Sequence, residues 1–375
     1  MFDVRFLALL VTAVLLTACR EASSARALEF HAQAPLPSTA SAWPEADLLF
    51  RSDPRWLGGD AAFSVHLGGE RVLWLFGDTF IATSERNLRS EARMVRNTIA
   101  VQQGLDPSRA RIEFHWQAGP ESWFPEQGAQ WFWPQRGVCL PGGPLILFWS
   151  RMQRTGDGMF GFEASGWTAV IIDNPEDSPS AWRPRTLEPA ALPPGILAAQ
   201  GLFIEGEFVY GLGVREPGDH AGFALRFPIE ALRQGELRTL EVWDGQWTRA
   251  RADLAPRAVM PDAAPELSLH FERALDRYVH VRSLGFGATT LAIATANRIT
   301  GPWSAPLEVY RPPESDRAQT LVYAGKGHPE LTGADLVLTY ASNSFDFAAL
   351  VNDSTHYYPR FVRVTYGADL DRGTR

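Results

Sequence analysis

Leu73-Trp74-Leu75-Phe76-Gly77-Asp78-Thr79-Phe80 is the stretch from which the fold can be read, because its plan returns four more times. An apolar strand follows a turn and ends in small or polar residues. The same plan is met at Leu145-Ile-Leu-Phe-Trp-Ser-Arg-Met152, Glu207-Phe-Val-Tyr-Gly-Leu-Gly-Val214, Tyr278-Val-His-Val-Arg-Ser-Leu-Gly285 and Leu336-Val-Leu-Thr-Tyr-Ala-Ser-Asn343. The starts are 72, 62, 71 and 58 residues apart. Most of these segments are preceded by a shorter strand and a Gly- or Asp-containing turn, such as Leu67-Gly-Gly-Glu-Arg71 or Leu331-Thr-Gly-Ala-Asp335. Such turns join antiparallel neighbours.

On three units an apolar strand is followed by a Trp-led segment: Ser180-Ala-Trp182-Arg-Pro, Gly245-Gln-Trp247-Thr and Gly301-Pro-Trp303-Ser-Ala-Pro. Proline cannot donate to a ladder, so these segments belong at an outer edge. Four antiparallel strands repeated five times predict an all-β, five-bladed β-propeller. A β-sandwich or two stacked β domains is the alternative. Helices are scarce; one short helix is expected around Pro228 to Gln234, after the strand Gly222–Phe227.

Outward from the repeats, the N-terminus reads as a targeting segment. The apolar run from Phe6 to Leu16 is too short to span a bilayer and has the length of a signal-peptide core. Leu16-Thr-Ala-Cys19 has the form of a lipobox, which predicts cleavage before Cys19 and its lipidation, and paired acyl chains anchor far better than one. Residues 20–43 are rich in Ala, Ser and Pro and read as a tether, leaving 44–375 as the propeller. The expected location is the cell envelope, with the membrane touched only through the lipid. Cys139, in an apolar stretch, is expected to be a buried free thiol, and a monomer is expected.

A net charge of −8 without a basic stripe argues against nucleic acid as a partner. There is no Gly-x-Ser-x-Gly elbow, Walker loop or dinucleotide loop. Thirteen tryptophans fit either a core or flat platforms for sugar rings.

In a propeller the first strand of each blade lines the channel, and one mouth of that channel is the usual site. Polar residues stand at the heads of the expected inner strands: Asp60; Gln135 and Arg136 after Trp133; Glu266 with His270; and Lys326, His328 and Glu330. Asp60, Asp78, Glu266 and Glu330 are the carboxyl candidates for acid/base work on a glycosidic bond, which needs two carboxyl groups. Arg96, Arg136 or Arg282 would hold one of them ionised. Each carboxyl also has a structural alternative. Asp78 could close a turn, Asp60 could cap a loop, Glu266 could be a solvated strand end, and Glu330 could bond a neighbouring blade. His270 and His328 have no metal-ligand spacing, so no metal is expected, although a Ca²⁺ in the channel stays open.

Gly59-Asp60, the 73–80 stretch, Met94-Val-Arg-Asn97-Thr-Ile-Ala-Val-Gln, Trp131-Phe-Trp-Pro134, Gly301-Pro-Trp303 and His328-Pro-Glu330-Leu together resemble a family of exported proteins. These are secreted five-bladed propellers similar to glycoside hydrolases, including endo-D-arabinanases. The resemblance runs from about Trp56 to Tyr366. It implies a funnel whose first-blade acids fall on Asp60, as base or nucleophile, and on Asp78, which tunes it. Glu266 is the positional match for the general acid. The expected partner is a carbohydrate polymer or oligosaccharide, with Arg96, Asn97, Trp133, Arg136, His270, Arg282, His328 and Glu330 as the substrate-binding candidates. Trp133-Pro-Gln135-Arg136-Gly137 departs from the family's Trp-Pro-Gly-Asp-Gly, with an arginine where a carboxylate is usual. A non-catalytic glycan-binding lipoprotein and a protein-interaction scaffold are the competing functions on the same fold.

Overall fold

The computed structural model describes residues 38–367. The expected signal segment, Cys19 and most of the expected tether lie outside the described residues. The chain is all-β and is arranged as antiparallel sheets that follow one another in sequence. The first comprises Phe63–Gly68, Arg71–Phe76, Thr98–Gln103 and Arg111–His115. The second comprises Trp131–Cys139, Leu145–Arg154, Phe162–Ile172 and Arg185–Leu187. The third has five strands: Ile196–Glu205, Phe208–Arg215, Gly222–Pro228, Glu241–Trp243 and Trp247–Arg249. The fourth comprises Leu267–Glu272, Arg277–Leu284, Thr290–Ala296 and Leu307–Tyr310. The fifth comprises Thr320–His328, Leu336–Ser344 and Arg360–Tyr366, completed by the N-terminal strand Ser38–Ala42. A small three-stranded sheet, Trp56–Gly59, Thr79–Ile81 and Arg93–Val95, continues the first sheet at one end.

The five recurrent segments are built on the second strands of the sheets, the first running on through Gly77-Asp78 into the small sheet, and the reason their strand parts are apolar is packing on both faces. Successive strand residues point to opposite sides. In the first sheet Leu73 and Leu75 join Leu145, Leu147 and Trp149 of the second sheet in one buried cluster. Val72, Trp74 and Phe76 face the other way and join Val337 and Phe361 of the fifth. Equivalent clusters form between the second and third sheets (Ile146 and Phe148 with Val209 and Leu225), the third and fourth (Leu212 and Val214 with Leu267 and Leu269), and the fourth and fifth (Val279 and Val281 with Leu336 and Leu338). Each fully buried Leu, Phe or Val contributes about 1.5–3 kcal/mol relative to exposure. The fifth sheet thus packs back on the first.

Two expectations are amended. Residues 38–42, expected within the tether, form a strand paired with the C-terminal one in the register Ser38↔Tyr366 to Ala42↔Val362. Their alternation is too short and too small-residued to show in sequence. Deleting residues 38–42 is expected to leave the chain folded but lower its melting midpoint by roughly 5–10 °C, about 3 kcal/mol of lost ladder. An unchanged midpoint in a thermal melt would show that this strand adds nothing. Trp182 and Trp303 do not form the outer strands; they precede them, buried, each donating its indole N–H to a backbone carbonyl of its own loop, that of Asp177 or Ile299. Trp247 does lie in an outer strand, as expected. The short helix is Ile229–Arg233.

Candidate active site

The five first strands run in the same direction side by side. Asp60 meets Tyr323, Ser64 meets His328, and Gly327 meets Ser268, so position along one strand maps onto position along the next. That order separates a head end, with Asp60, Glu266 and Tyr323, from a tail end, with Leu67, Cys139, His270 and Glu330.

At the head, Asp60 lies where the first sheet passes into the small one. Its N–H donates to the Asp78 carbonyl at 3.4 Å, and Gly77 N–H donates to the Asp60 carbonyl at 3.1 Å. Gly77 has to be glycine: a Cβ there would stand 2.4 Å from Asp60 Oδ1. Asp60 Oδ2 accepts from Tyr323 Oη at 2.6 Å and from Tyr357 Oη at 3.2 Å. Burial, with Asp78 and Glu266 close by, pushes the Asp60 carboxyl up to about 8, against the two phenol hydrogen bonds that pull it down.

Asp78 is held differently. Its Oδ2 accepts from Arg96 Nη1 at 3.1 Å and its Oδ1 from Trp133 Nε1 at 2.8 Å. Burial still raises its carboxyl above the ordinary range, outweighing the Arg96 charge and both hydrogen bonds. Arg96 is itself seated over the Trp131 ring, 4.8 Å from its centroid. Trp133 packs edge-on against Phe162 at 4.7 Å.

Glu266 Oε2 pairs with Lys326 Nζ at 2.5 Å. Lys326 is wholly buried and also donates to the carbonyls of Ala61 at 2.6 Å and Ala324 at 3.1 Å, beside the Phe63 ring. Burial lowers its ammonium below the usual lysine range, opposed by Glu266 and Asp60. One ammonium thus ties the heads of the first, fourth and fifth sheets together.

The backbone around Asp60 is strained. Ala61, Ala62, Ala324 and Tyr357 have φ of 65°, 53°, 60° and 67°, four of the ten non-glycine residues in the left-handed region among the described residues. Such strain costs about 1–3 kcal/mol per residue and gathers where a site is held against local preference. The first strands of the second, third and fifth sheets are also bulged, the last between Tyr323 and Lys326, which re-aims their side chains.

The remaining expected site residues are placed as follows. Asn97 is buried and fully used, clamping Phe124 and Phe132 through three backbone hydrogen bonds. Arg282 grips Asp262, through its carbonyl at 2.6 Å and its carboxylate at 2.7 Å, and so fixes the loop that leads to Glu266. His328 is buried between Ser64 Oγ at 2.6 Å and Thr339 Oγ1 at 2.7 Å, a structural histidine. Arg136, His270 and Glu330 do not join the head group. They line a cavity at the tail, so the single mouth expected for all the polar residues is two separate places. Tyr323 and Tyr357 were not among the expected site residues, and Lys326 was noted only as a polar strand-head residue without a role. Cys139 is the free thiol among the described residues, half-buried, with burial pushing it up to about 11. Among the described residues no group of three or more His, Cys, Asp or Glu side chains is placed to hold a metal.

Above the head end, loops from three sheets meet. Phe160, at the tip of the long hairpin of the second sheet, lies 5.8 Å from Phe286 of the fourth and 6.4 Å from Phe345 of the fifth, ring centre to ring centre. Phe286 and Phe345 are 6.1 Å apart. Phe160 and Phe286 are 53% and 72% exposed, which for phenylalanine marks a surface with something to bind or cover.

Comparison with known proteins bears on the fold more than on the chemistry. Residues 45–188 match the family model described as Domain of unknown function (DUF5005), and residues 177–350 match Domain of unknown function (DUF4185). No curated protein matches. Among solved structures, a presumed hydrolase from Bacteroides ovatus is similar at 15% identity over 92% of this chain and 94% of its own, with a TM-score of 0.68. Its fold is therefore shared nearly end to end. The catalytic domain of a GH62 α-L-arabinofuranosidase from Coprinopsis cinerea is 10% identical over 88% of this chain and 97% of its own, with a TM-score of 0.47. A GH43 protein, BlXynB, from Bacillus licheniformis is 11% identical over 78% of this chain and 50% of its own, with a TM-score of 0.42.

Proposed function

We propose that this chain is an exported, lipid-anchored glycoside hydrolase of the cell envelope, built as a five-bladed β-propeller. Its substrate would be a polysaccharide or oligosaccharide, arabinan-like sugars included. The blade count rests on the five inter-sheet clusters, the last of which returns from the fifth sheet to the first. The observation that carries the chemistry is Asp60, a desolvated carboxyl next to the strained Ala61 and Ala62 that keeps its proton up to about pH 8 beside two other acids. Hydrolysis of a glycosidic bond needs a carboxylic acid to protonate the leaving oxygen and a carboxylate to activate water or attack the anomeric carbon.

In this reading the roles implied by the family resemblance exchange. Asp60 is the proton donor. Glu266, ion-paired with Lys326, is the charged partner. Asp78 is held by Arg96 and Trp133 as the group that keeps Asp60 protonated. The hairpin carrying Phe160 starts from the second sheet and reaches the fourth and fifth. In a five-membered ring these are the two blades opposite it, so the phenylalanines arch over the acidic mouth. Aromatic faces there, with Trp133 below, suit the apolar faces of sugar rings.

Reducing-end release from a panel of bacterial and plant polysaccharides, D-arabinan included, tests the reading. Release by the parent that is lost in both Asp60→Asn and Glu266→Gln, each folded, supports it. Activity that survives both refutes this site. A second reading, glycan binding without catalysis, is favoured by one observation: both Asp78 oxygens, Asp60 Oδ2 and Glu266 Oε2 are already engaged by protein donors. Binding without release from any glycan would select it. Trp133→Phe separates the two further. Loss of a hydrogen bond to a charged group, about 1.5–3 kcal/mol, is expected to cut kcat/KM by roughly 10–100-fold in an enzyme. In a pure binder it would alter affinity alone.

A further inference from the structure

The tail end of the channel opens into a cavity of about 440 Å³, within the range of small-molecule sites. Three of its side chains are more than nine-tenths buried and carry polar atoms with no partner: Arg136 Nη1, Glu330 Oε1 and His270 Nδ1, while His270 Nε2 lies 3.7 Å from Glu272 Oε2. Leaving such atoms unpaired costs about 1–3 kcal/mol each, so they are expected to have partners in the working protein.

We propose that this cavity is a second binding site, separate from the acidic mouth, for a neutral polyhydroxyl ring of monosaccharide size. Arg136 and Glu330 face each other at 3.4 Å, so their charges cancel locally and neither an anion nor a cation is drawn in by a net field. What remains is an N–H donor, a carboxylate acceptor and the open Nδ1 of an imidazole whose Nε2 faces Glu272. Hydroxyl groups both donate and accept, so adjacent hydroxyls on one ring answer all three. The other charged or titratable lining groups, His66 and Glu176, are exposed at the rim, where water screens them, and Cys139 carries a neutral thiol. Phe203 contributes an apolar wall for the C–H face of the ring. The proposal does not rest on the chemistry assigned to the head end, whose buried Lys326 feels the Arg136 charge through space.

Cys139 lines the cavity and is half-buried, so it reports occupancy. The test is the rate of iodoacetamide alkylation of Cys139 in the full chain, read by mass spectrometry of its peptide. It is run with arabinose, xylose, galactose, glucose or glucuronate at millimolar concentrations. At least one neutral sugar is expected to slow alkylation several-fold and saturably, more than glucuronate does. Asp60→Asn is expected to keep that protection, and Glu330→Gln and His270→Gln, checked as folded by thermal melting, to weaken it tenfold or more. Absence of protection by every neutral sugar means that the cavity holds only water and overturns the proposal. So does stronger protection by glucuronate, or full protection in whichever of the two tail variants is folded.

Discussion

Asp60→Asn is expected to be folded, more stable than the parent above pH 5, and about a thousandfold slower on a glycan substrate, the loss typical of removing a general acid. The stability gain follows from linkage. The Asp60 carboxyl is raised from the ordinary 3.8 to about 8. The unfolded chain therefore gives up this proton above pH 4, while the folded chain keeps it. Stability from the protonated, buried form is complete below pH 4 and is lost as pH rises through about 8, at up to roughly 1.4 kcal/mol per pH unit. Asparagine has no proton to hold and approximates the neutral acid in shape. The difference in melting midpoint between variant and parent should therefore widen from pH 5 to pH 8 and then level off. In the parent, activity should fall as pH rises through about 8, because the proton donor is lost. A variant that tracks the parent at every pH would show that Asp60 titrates as an ordinary surface carboxylate, and the acid assignment would fail with it.

What the sequence disclosed was decided by periodicity. The second strands were legible because both faces of each are buried, which writes an apolar run such as 145–149 without gaps. The N-terminal strand escaped because Ser38-Thr-Ala-Ser-Ala42 has the composition of a tether, and only its pairing with Arg360–Tyr366 makes it a strand. Asp60, Asp78 and Glu266 could be named because carboxyl groups at strand heads are few, but their roles depend on partners far away in sequence. Tyr323 and Tyr357 lie 263 and 297 residues from Asp60 and carry no motif. Arg136, His270 and Glu330 were expected with the head group because the inner strands begin earlier than the sequence suggests: the fifth begins at Thr320, not Lys326, so Glu330 lies past its end, and Arg136 is sixth in Trp131–Cys139. How far along each strand a residue falls, a few positions of about 3.3 Å each, decides which end of the first strands it serves. Strand bulges shift that count in ways no pattern of residue types reveals.

The role of one residue, noted only as a polar strand head, had left a signal in plain view. Lys326 is the only lysine in the chain, against thirty-four arginines. Every other permanent cation is a guanidinium, and the one ammonium is the wholly buried group between Glu266, Ala61 and Ala324. Three acceptors converging on one point suit a compact ammonium with three N–H bonds, whereas a planar fork spreads its donors over several ångströms. Lys326→Arg is accordingly expected to fare little better than Lys326→Met. Each should lose about 3–5 kcal/mol, the usual result of leaving one member of a buried pair alone, and the same change should release the strained turns at Ala61 and Ala324. Lys326→Met combined with Glu266→Gln removes both charges and should recover part of that stability in urea unfolding while staying inactive, since the charged partner of Asp60 is gone. If Lys326→Arg instead matches the parent in stability and rate, the pocket has room for a fork, and the ammonium is not what sets Glu266 and Asp60 in place.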